Sequence, residues 1–190
     1  MIDAHLIDAG FSKPAFDTIA ASGPNAALPH AHPGERKLTE GDLVVLDFGG
    51  VYDSYCVDLT RTVSVGRRER TGPRGLRARS ATPTIARSLP SLPAGHGSRS
   101  TPRRANTLAE RGLGEAFGHG TGHGLGIEVH EDPRISRRRP DLDVSVPGSS
   151  DEAVRRGHGL HDRAGRYLAG WGGVRIEDDV LVHERGRRGC

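Results

Sequence analysis

Two aspartates, Asp47 and Asp58, lie eleven residues apart with a Gly49-Gly50 pair between them. An out-and-back hairpin would bring both carboxylates to one spot. Two buried carboxylates repel, and each is costly to desolvate. A divalent cation between them removes both problems. The spacing alone fits two turn or cap aspartates equally well. In Gly118-His119-Gly120-Thr121-Gly122-His123-Gly124, glycine recurs at every second position. An extended chain of this kind has one bare face, which another backbone can approach closely, and sets His119, Thr121 and His123 on the other. Imidazoles there can ligate metals or carry protons near neutral pH. The competing reading is a flexible glycine-rich loop. His130 follows in Val129-His130-Glu131-Asp132-Pro133. The run lacks the Gly-Lys-Ser/Thr ending of a phosphate loop. Glu177 sits in Val174-Arg175-Ile176-Glu177-Asp178-Asp179-Val180. An acid placed there needs a partner, either Arg175 or a metal, unless it lies on an exposed strand edge. The loop Ser22 to Pro29 is closed by His30, which by itself reads as a surface histidine.

These side chains need strands to hold them. Leu43 to Leu46 is an apolar run, followed by Val51-Tyr52, Tyr55-Cys56-Val57 and Thr60 to Val65. β-branched and aromatic residues with glycines between them predict a hairpin or meander. Ile2 to Ile19 suggests a helix followed by a strand. Residues 67–105 hold ten arginines and a single acid, Glu69, with no apolar period, and read as a disordered basic linker. Asn106 to Gly112 resembles a helix end with a glycine stop. Residues 134–166 are again rich in Arg, Gly and Asp, whereas Tyr167 to Val182 reads as structured. No internal repeat is visible.

Composition narrows the classes. Of 190 residues, 34% are hydrophobic and only 4% aromatic, so a core would be thin in large side chains. No run of about 18 apolar residues exists, so no membrane helix is expected, and no basic, apolar leader is visible. Two cysteines, Cys56 and Cys190, cannot build a disulfide framework, which makes a reducing, cytoplasmic setting the expectation. The formal charge is +3, made of two lysines and 25 arginines (27 basic residues less two). Such skew points to GC-rich coding DNA before it points to a nucleic-acid surface.

Together the four segments resemble the catalytic domain of the pita-bread metallopeptidases, in the branch of Xaa-Pro aminopeptidases and Xaa-Pro dipeptidases (prolidases). The resemblance spans roughly 1–66, 106–133 and 167–182. It rests on the Asp-x10-Asp hairpin, the His-Gly-Thr-Gly-His-Gly run, the His-Glu-x-Pro box and Val-Arg-Ile-Glu-Asp. It implies an α+β fold with a curved antiparallel sheet covered by helices. It also implies two divalent metal ions (Mn, Co or Zn), with Asp47, Asp58, His123 and Glu177 matching ligands. By the same match His30 lines the substrate pocket, His119 and His130 lie near the scissile bond, and Arg175 supports the ligands. The implied activity is hydrolysis of a peptide bond N-terminal to proline by a metal-activated water. The implied partners are a proline-containing peptide and a second copy in a homodimer, with no membrane and no nucleic acid. The family's N-terminal domain is not seen, so 1–190 is expected to be a single, partial catalytic domain.

One departure is damaging. The family's fifth ligand is a glutamate in Gly-Met-Val-Phe-Thr-Ile-Glu-Pro-Gly, shortly before the segment at Tyr167. Here Gly157 to Gly165 reads Gly-His-Gly-Leu-His-Asp-Arg-Ala-Gly, and Arg163 takes the glutamate's place. A slipped reading frame accounts for it. His158 to Ala164 can be encoded CAT GGT CTT CAC GAT CGA GCC, and skipping one base yields Met-Val-Phe-Thr-Ile-Glu-Pro. Ser80 to Ala94 and Ser100 to Ala105 recode, in the other shifted frame, to alanine-rich helix material. The expectation is therefore that 67–105 and part of 134–166 are scrambled and weakly ordered, with one strand and part of the helical layer disrupted. A non-catalytic peptide-binding module or inactive pseudoenzyme is the alternative function. Nucleic-acid binding through 67–104 is a third, disfavoured because no aromatics interleave the arginines.

Overall fold

The computed structural model describes residues 1–28, 31–32, 34–66, 95–96, 122–135, 153–183 and 186–189. In chain order the elements are α1 (Ile2–Asp8), β1 (Lys13–Pro14), β2 (Ile19–Ser22), a 3-10 turn (Gly23–Ala27), β3 (Leu43–Phe48), β4 (Gly50–Tyr52), β5 (Tyr55–Cys56), β6 (Leu59–Ser64), β7 (Gly95–His96), β8 (Gly122–Gly124), β9 (Glu131–Ile135), β10 (Ala153–Val154), β11 (Gly159–Leu168), β12 (Gly172–His183) and β13 (Gly186–Gly189). Eight strands form one sheet in the order β2-β3-β6-β12-β11-β8-β9, with β13 also pairing β12. Among the described residues its strand pairings are all antiparallel. Among the described residues no helix is long and apolar enough to cross a membrane.

The meander expected from Leu43 to Val65 is present. β3 pairs with β6 from Leu43↔Ser64 to Phe48↔Leu59. Between them a small hairpin, β4 and β5, projects outward and pairs with β1. Its two-residue turn, Asp53-Ser54, has positive φ at both positions (47° and 71°). This is the twist-matched geometry that closes tight hairpins. Gly49 lets the chain return beside itself, because a Cβ there would overlap the Val57 carbonyl oxygen. That crossing sets Asp58 back beside the end of β3.

The long β11–β12 ladder runs through ten residue pairs, from Gly159↔Leu181 to Leu168↔Gly172. On one face of β12, Val174, Ile176, Val180 and Val182 are buried; Val180 and Val182 join Ile135, Val154 and Leu160 in an apolar cluster. Leu160 lies opposite Val180 and anchors β11 to that cluster. Period-two alternation places Arg175, Glu177 and Asp179 on the other face. The sequence leaves 134–166 weakly ordered, yet residues 153–166 carry β10 and most of β11. The difference has a backbone cause, since ladder hydrogen bonds do not depend on the charged side chains that obscure the apolar period. Of residues 67–105, only Gly95 and His96, the strand β7, are described beyond the expected linker; they pair with β10. The helix end expected at 106–112 lies outside the described residues.

Candidate metal centre

The site is a patch of side chains on one face of adjacent strands. Asp47 on β3 lies opposite Thr60 on β6, and Thr60 lies opposite Glu177 on β12. Glu177 in turn lies opposite Arg163 on β11. Two pairs along, Asp179 is opposite His161, and His161 is opposite His123 on β8. β6 and β12 share a single paired position, so side chains join them further. The Thr60 hydroxyl donates to Glu177 Oε2, and Thr62 Oγ1 donates to the Arg175 carbonyl (2.8 Å) and accepts from the Arg175 N–H (2.9 Å). Asp58 enters between β5 and β6, its N–H donating to Asp179 Oδ2 at 3.0 Å.

Four of the residues picked from sequence are therefore brought together. Asp47, Asp58, His123 and Glu177 are all buried, Glu177 to 3% exposure. Neither turn nor cap roles fit the aspartates, because Asp47 is within a strand and both turn into the sheet. Nor is Glu177 at a sheet edge, since β12 has partners on both sides. Arg175 Nη2 binds Asp47 Oδ2 at 2.6 Å, and Arg175 Nε lies 3.7 Å from Glu177 Oε1. The ring of His130, an exposed residue, sits with its centroid 4.4 Å from that of His123. His30 and His119 lie outside the described residues.

The expected glycine pattern also has a visible purpose. A Cβ on Gly122 would overlap the His161 carbonyl oxygen, and one on Gly124 the Asp132 carbonyl. The bare face is what lets β8 close on β11 and β9. His123 Nδ1 donates to the Gly124 carbonyl at 2.9 Å, which leaves Nε2 as the lone-pair nitrogen, 4.0 Å from Asp58 Oδ2.

Three side chains of the patch were not singled out from sequence. His161, 1% exposed, sets Nε2 3.6 Å from Asp58 Oδ2 and 3.5 Å from Glu177 Oε2, and stacks on His123 with centroids 4.5 Å apart. Asp179 is buried against Asp58. Tyr167, four pairs along from Arg163, hydrogen bonds Arg175. The missing signal for His161 was period two: a strand that turns position 163 toward the site turns position 161 there as well. Arg163, expected in the place of a ligand glutamate, lies opposite Glu177 in the ladder.

Electrostatics follow from crowding. Burial, with Glu177, Asp47 and Asp179 close by, pushes the Asp58 carboxyl up to about 7 against the pull of His161. Burial lifts Asp179 to about 6 and raises Asp47, where Glu177 adds to the effect and Arg175 opposes it. Burial works against Glu177 too, but His161, Arg175 and Thr60 outweigh it and hold that carboxyl at about 2. Burial, and then the neighbouring His161, lower His123 to about 3. Oδ1 of Asp47, of Asp58 and of Asp179, and both ring nitrogens of His161, are buried without a hydrogen bond among the described residues. Two donor groups, Asp47–Asp58–Glu177 and Asp58–His123–His161, each fit within 4.8 Å. Converging unbonded carboxylate oxygens and imidazole nitrogens are a donor set suited to divalent cations.

Known proteins resemble the chain in sequence and fold. A profile of metallopeptidase family M24 matches residues 1–184. The Xaa-Pro dipeptidase of Pyrococcus horikoshii is 39% identical over 190 residues, covering 94% of this chain and 48% of its own length. The uncharacterized peptidase YqhT of Bacillus subtilis is 35% identical, over 98% of this chain and 50% of its own. Among solved structures, the prolidase from Pyrococcus furiosus superposes with a TM-score of 0.82 at 33% identity, covering 99% of this chain and 52% of that one. The X-Pro aminopeptidase from Thermotoga maritima reaches 0.83 at 33% identity, over 99% and 50%. The chain thus spans about half the length of the relatives it matches. It shares their α+β pita-bread fold and belongs to metallopeptidase family M24.

Proposed function

We propose that the chain is a metal-dependent hydrolase of peptide bonds N-terminal to proline, of the Xaa-Pro dipeptidase or aminopeptidase kind. The observation that carries this reading is the burial of Asp47, Asp58, His123 and Glu177 in two donor groups that share Asp58, with Oδ1 of Asp47 and of Asp58 unbonded among the described residues. These four residues would hold two divalent ions, of which manganese, cobalt and zinc all suit the donors. When bound, such ions supply Lewis acidity that polarises a scissile carbonyl and acidifies water. The chain's own groups do the rest. Arg175 fixes Asp47 through Oδ2, and Oδ1, unbonded among the described residues, would be the oxygen offered to an ion. Thr60 orients Glu177 from the neighbouring strand. His130, exposed beside His123, is placed to hold a substrate or move a proton at the rim. His30 and His119 take pocket roles by resemblance. A cytoplasmic location and a homodimer belong to the same reading.

The test is a metal assay paired with cleavage of an Xaa-Pro dipeptide. Asp58→Asn should abolish ion binding and lower cleavage by about 10³-fold, the several kcal/mol a Lewis-acid ion contributes. Unchanged cleavage in this variant would refute the reading. One observation favours the second reading, an inactive binding protein: a guanidinium, Arg163, opposite Glu177. Bound metal with no cleavage of any proline peptide would decide for it.

The frame-slip account of β11 gains support from burial. Asp162, 1% exposed, lies on the face of β11 that carries Leu160. The shifted frame puts Phe and Ile at those two positions and Thr and Glu at His161 and Arg163, apolar toward the cluster and polar toward the site. Sequencing the coding DNA across codons 60–170 tests it: an uninterrupted frame with no paired insertion and deletion relative to M24 relatives would refute it.

A further inference from the structure

We propose that His161 is a direct metal ligand of this chain, so that a divalent cation held by Asp58, His123 and His161 sits in a nitrogen-rich, zinc-type site, two residues from the Arg163 that takes the place of the family's glutamate. The proposal rests on the metallopeptidase reading for the remaining ligands but not on catalysis.

The geometry is that of a ligand and not of a core histidine. A buried neutral imidazole ordinarily has at least one nitrogen hydrogen bonded. His161 is 1% exposed and neither nitrogen makes a hydrogen bond among the described residues. Its Nε2 instead stands off two carboxylate oxygens, 3.6 Å from Asp58 and 3.5 Å from Glu177. A tetrahedral ion with bonds of about 2.0–2.2 Å holds its ligand atoms about 3.3–3.6 Å apart. These separations match those of donors around an ion, and without one the same contacts make His161 an ion-pair partner of Asp58 and Glu177. His123 brings a second imidazole from the adjacent strand, with its Nδ1 engaged by the Gly124 carbonyl and its Nε2 4.0 Å from the same Asp58 oxygen. Backbone register enforces the pair, since His161 and His123 are direct partners in the ladder.

The exchange has a consequence for ion choice. Arg163 in place of the glutamate removes one negative charge and adds a positive one next to Glu177, while His161 brings a neutral imidazole. Both changes weaken a site for a second dication and for hard, oxygen-seeking ions. Two imidazoles with carboxylates favour zinc-like ions over manganese. The expectation is one tightly bound zinc per chain.

The experiment uses the full 190-residue chain as written, stripped of metal and titrated with zinc and with manganese in a calorimeter. One zinc per chain is expected, bound at least about 100-fold more tightly than manganese. His161→Ala should lower zinc affinity by more than the 10–100-fold typical of losing an outer partner of a ligand, and change manganese binding little. Zinc affinity within about threefold of the unaltered chain would overturn the proposal. Should the variant fail to fold, X-ray absorption at the zinc edge of the unaltered chain decides. Two imidazoles in the coordination shell are expected, and one overturns the proposal. Failure of the two readings is distinguishable: no binding of either ion removes the metallopeptidase reading as well, whereas zinc bound through a single imidazole removes only this inference.

Discussion

Strands β3, β6 and β12 on one side, and β11 on the other, build one face of one sheet with opposed chemistry. The first group supplies Asp47, Glu177 and Asp179, with Asp58 from the turn before β6. β11 supplies His161 and, opposite Glu177, Arg163. Both sides are nevertheless in register, and β11 keeps ten pairs with β12. The lesson is that a ladder and one apolar anchor, Leu160 against Val180, position a strand without regard to what its other face carries. Placement comes from backbone hydrogen bonds and burial, whereas affinity for an ion comes from charge. A strand can keep the first and alter the second.

Exchanging the chemistry of β11 breaks the contrast most strongly. The change His158→Met, Gly159→Val, Leu160→Phe, His161→Thr, Asp162→Ile, Arg163→Glu and Ala164→Pro puts a carboxylate opposite Glu177 and apolar groups on the cluster face. Replacing a cation by an anion within a few ångströms of a dication is worth several kcal/mol even at an effective dielectric constant near 20. Manganese affinity should rise on the order of 100-fold or more, with two ions bound per chain, as read by calorimetry. The unfolding temperature should rise as well, because a charge no longer lies at Asp162. No gain in manganese binding would show that β11 does not face the ions.

How much of this was legible in the sequence divides along the same line. The approach of Asp47 and Asp58 was legible because a glycine pair between short β-rich runs suggests a hairpin, although the turn itself lies at Asp53-Ser54 and not at the glycines. The alternating glycines around His123 predicted a close backbone contact, which Gly122 makes with β11. His161 was not legible. Asp162 and Arg166 occupy the cluster side of β11, so no apolar alternation marked the strand. Without a strand there was no reason to place residue 161 beside residue 163. Asp179 was hidden for another reason: it follows Asp178, and only register separates the one facing Asp58 from the one paired with Arg61 at 2.6 Å.

A smaller effect sharpens the role of close approach. Gly122→Ala would force β8 away from the His161 carbonyl and should destabilise the chain by about 1–3 kcal/mol. Denaturant unfolding measures it, and zinc binding should weaken along with it because His123 shares the strand. An unaltered midpoint would mean that β8 does not pack on β11.

The smallest effect contrasts two carboxylates. Asp58 is crowded by acids, but Asp42 is held by Arg36 through two hydrogen bonds, at 2.6 and 2.9 Å. The Arg36 side chain, helped by the Thr39 N–H, keeps the Asp42 carboxyl at about 2, below its ordinary 3.8. The folded chain therefore takes up this proton less readily than the unfolded chain. The pair's contribution is complete above about pH 4 and disappears as pH falls through about 2. The pair is near the surface, so the contribution is small. Unfolding temperatures of the unaltered chain and of Asp42→Asn should differ slightly at pH 6 and converge on acidification. A gap that widens toward pH 2 would contradict the sign.

The account depends most on the convergence of Asp47, Asp58, His123 and Glu177 upon an ion. Metal content of the purified full chain, measured by mass spectrometry after dialysis, tests it directly. At least one divalent ion per chain is predicted, lost in Asp58→Asn, because Asp58 belongs to both donor groups, with the fold retained by circular dichroism. An equal metal content in the two proteins, or none in the unaltered chain after zinc and manganese are offered, would contradict it.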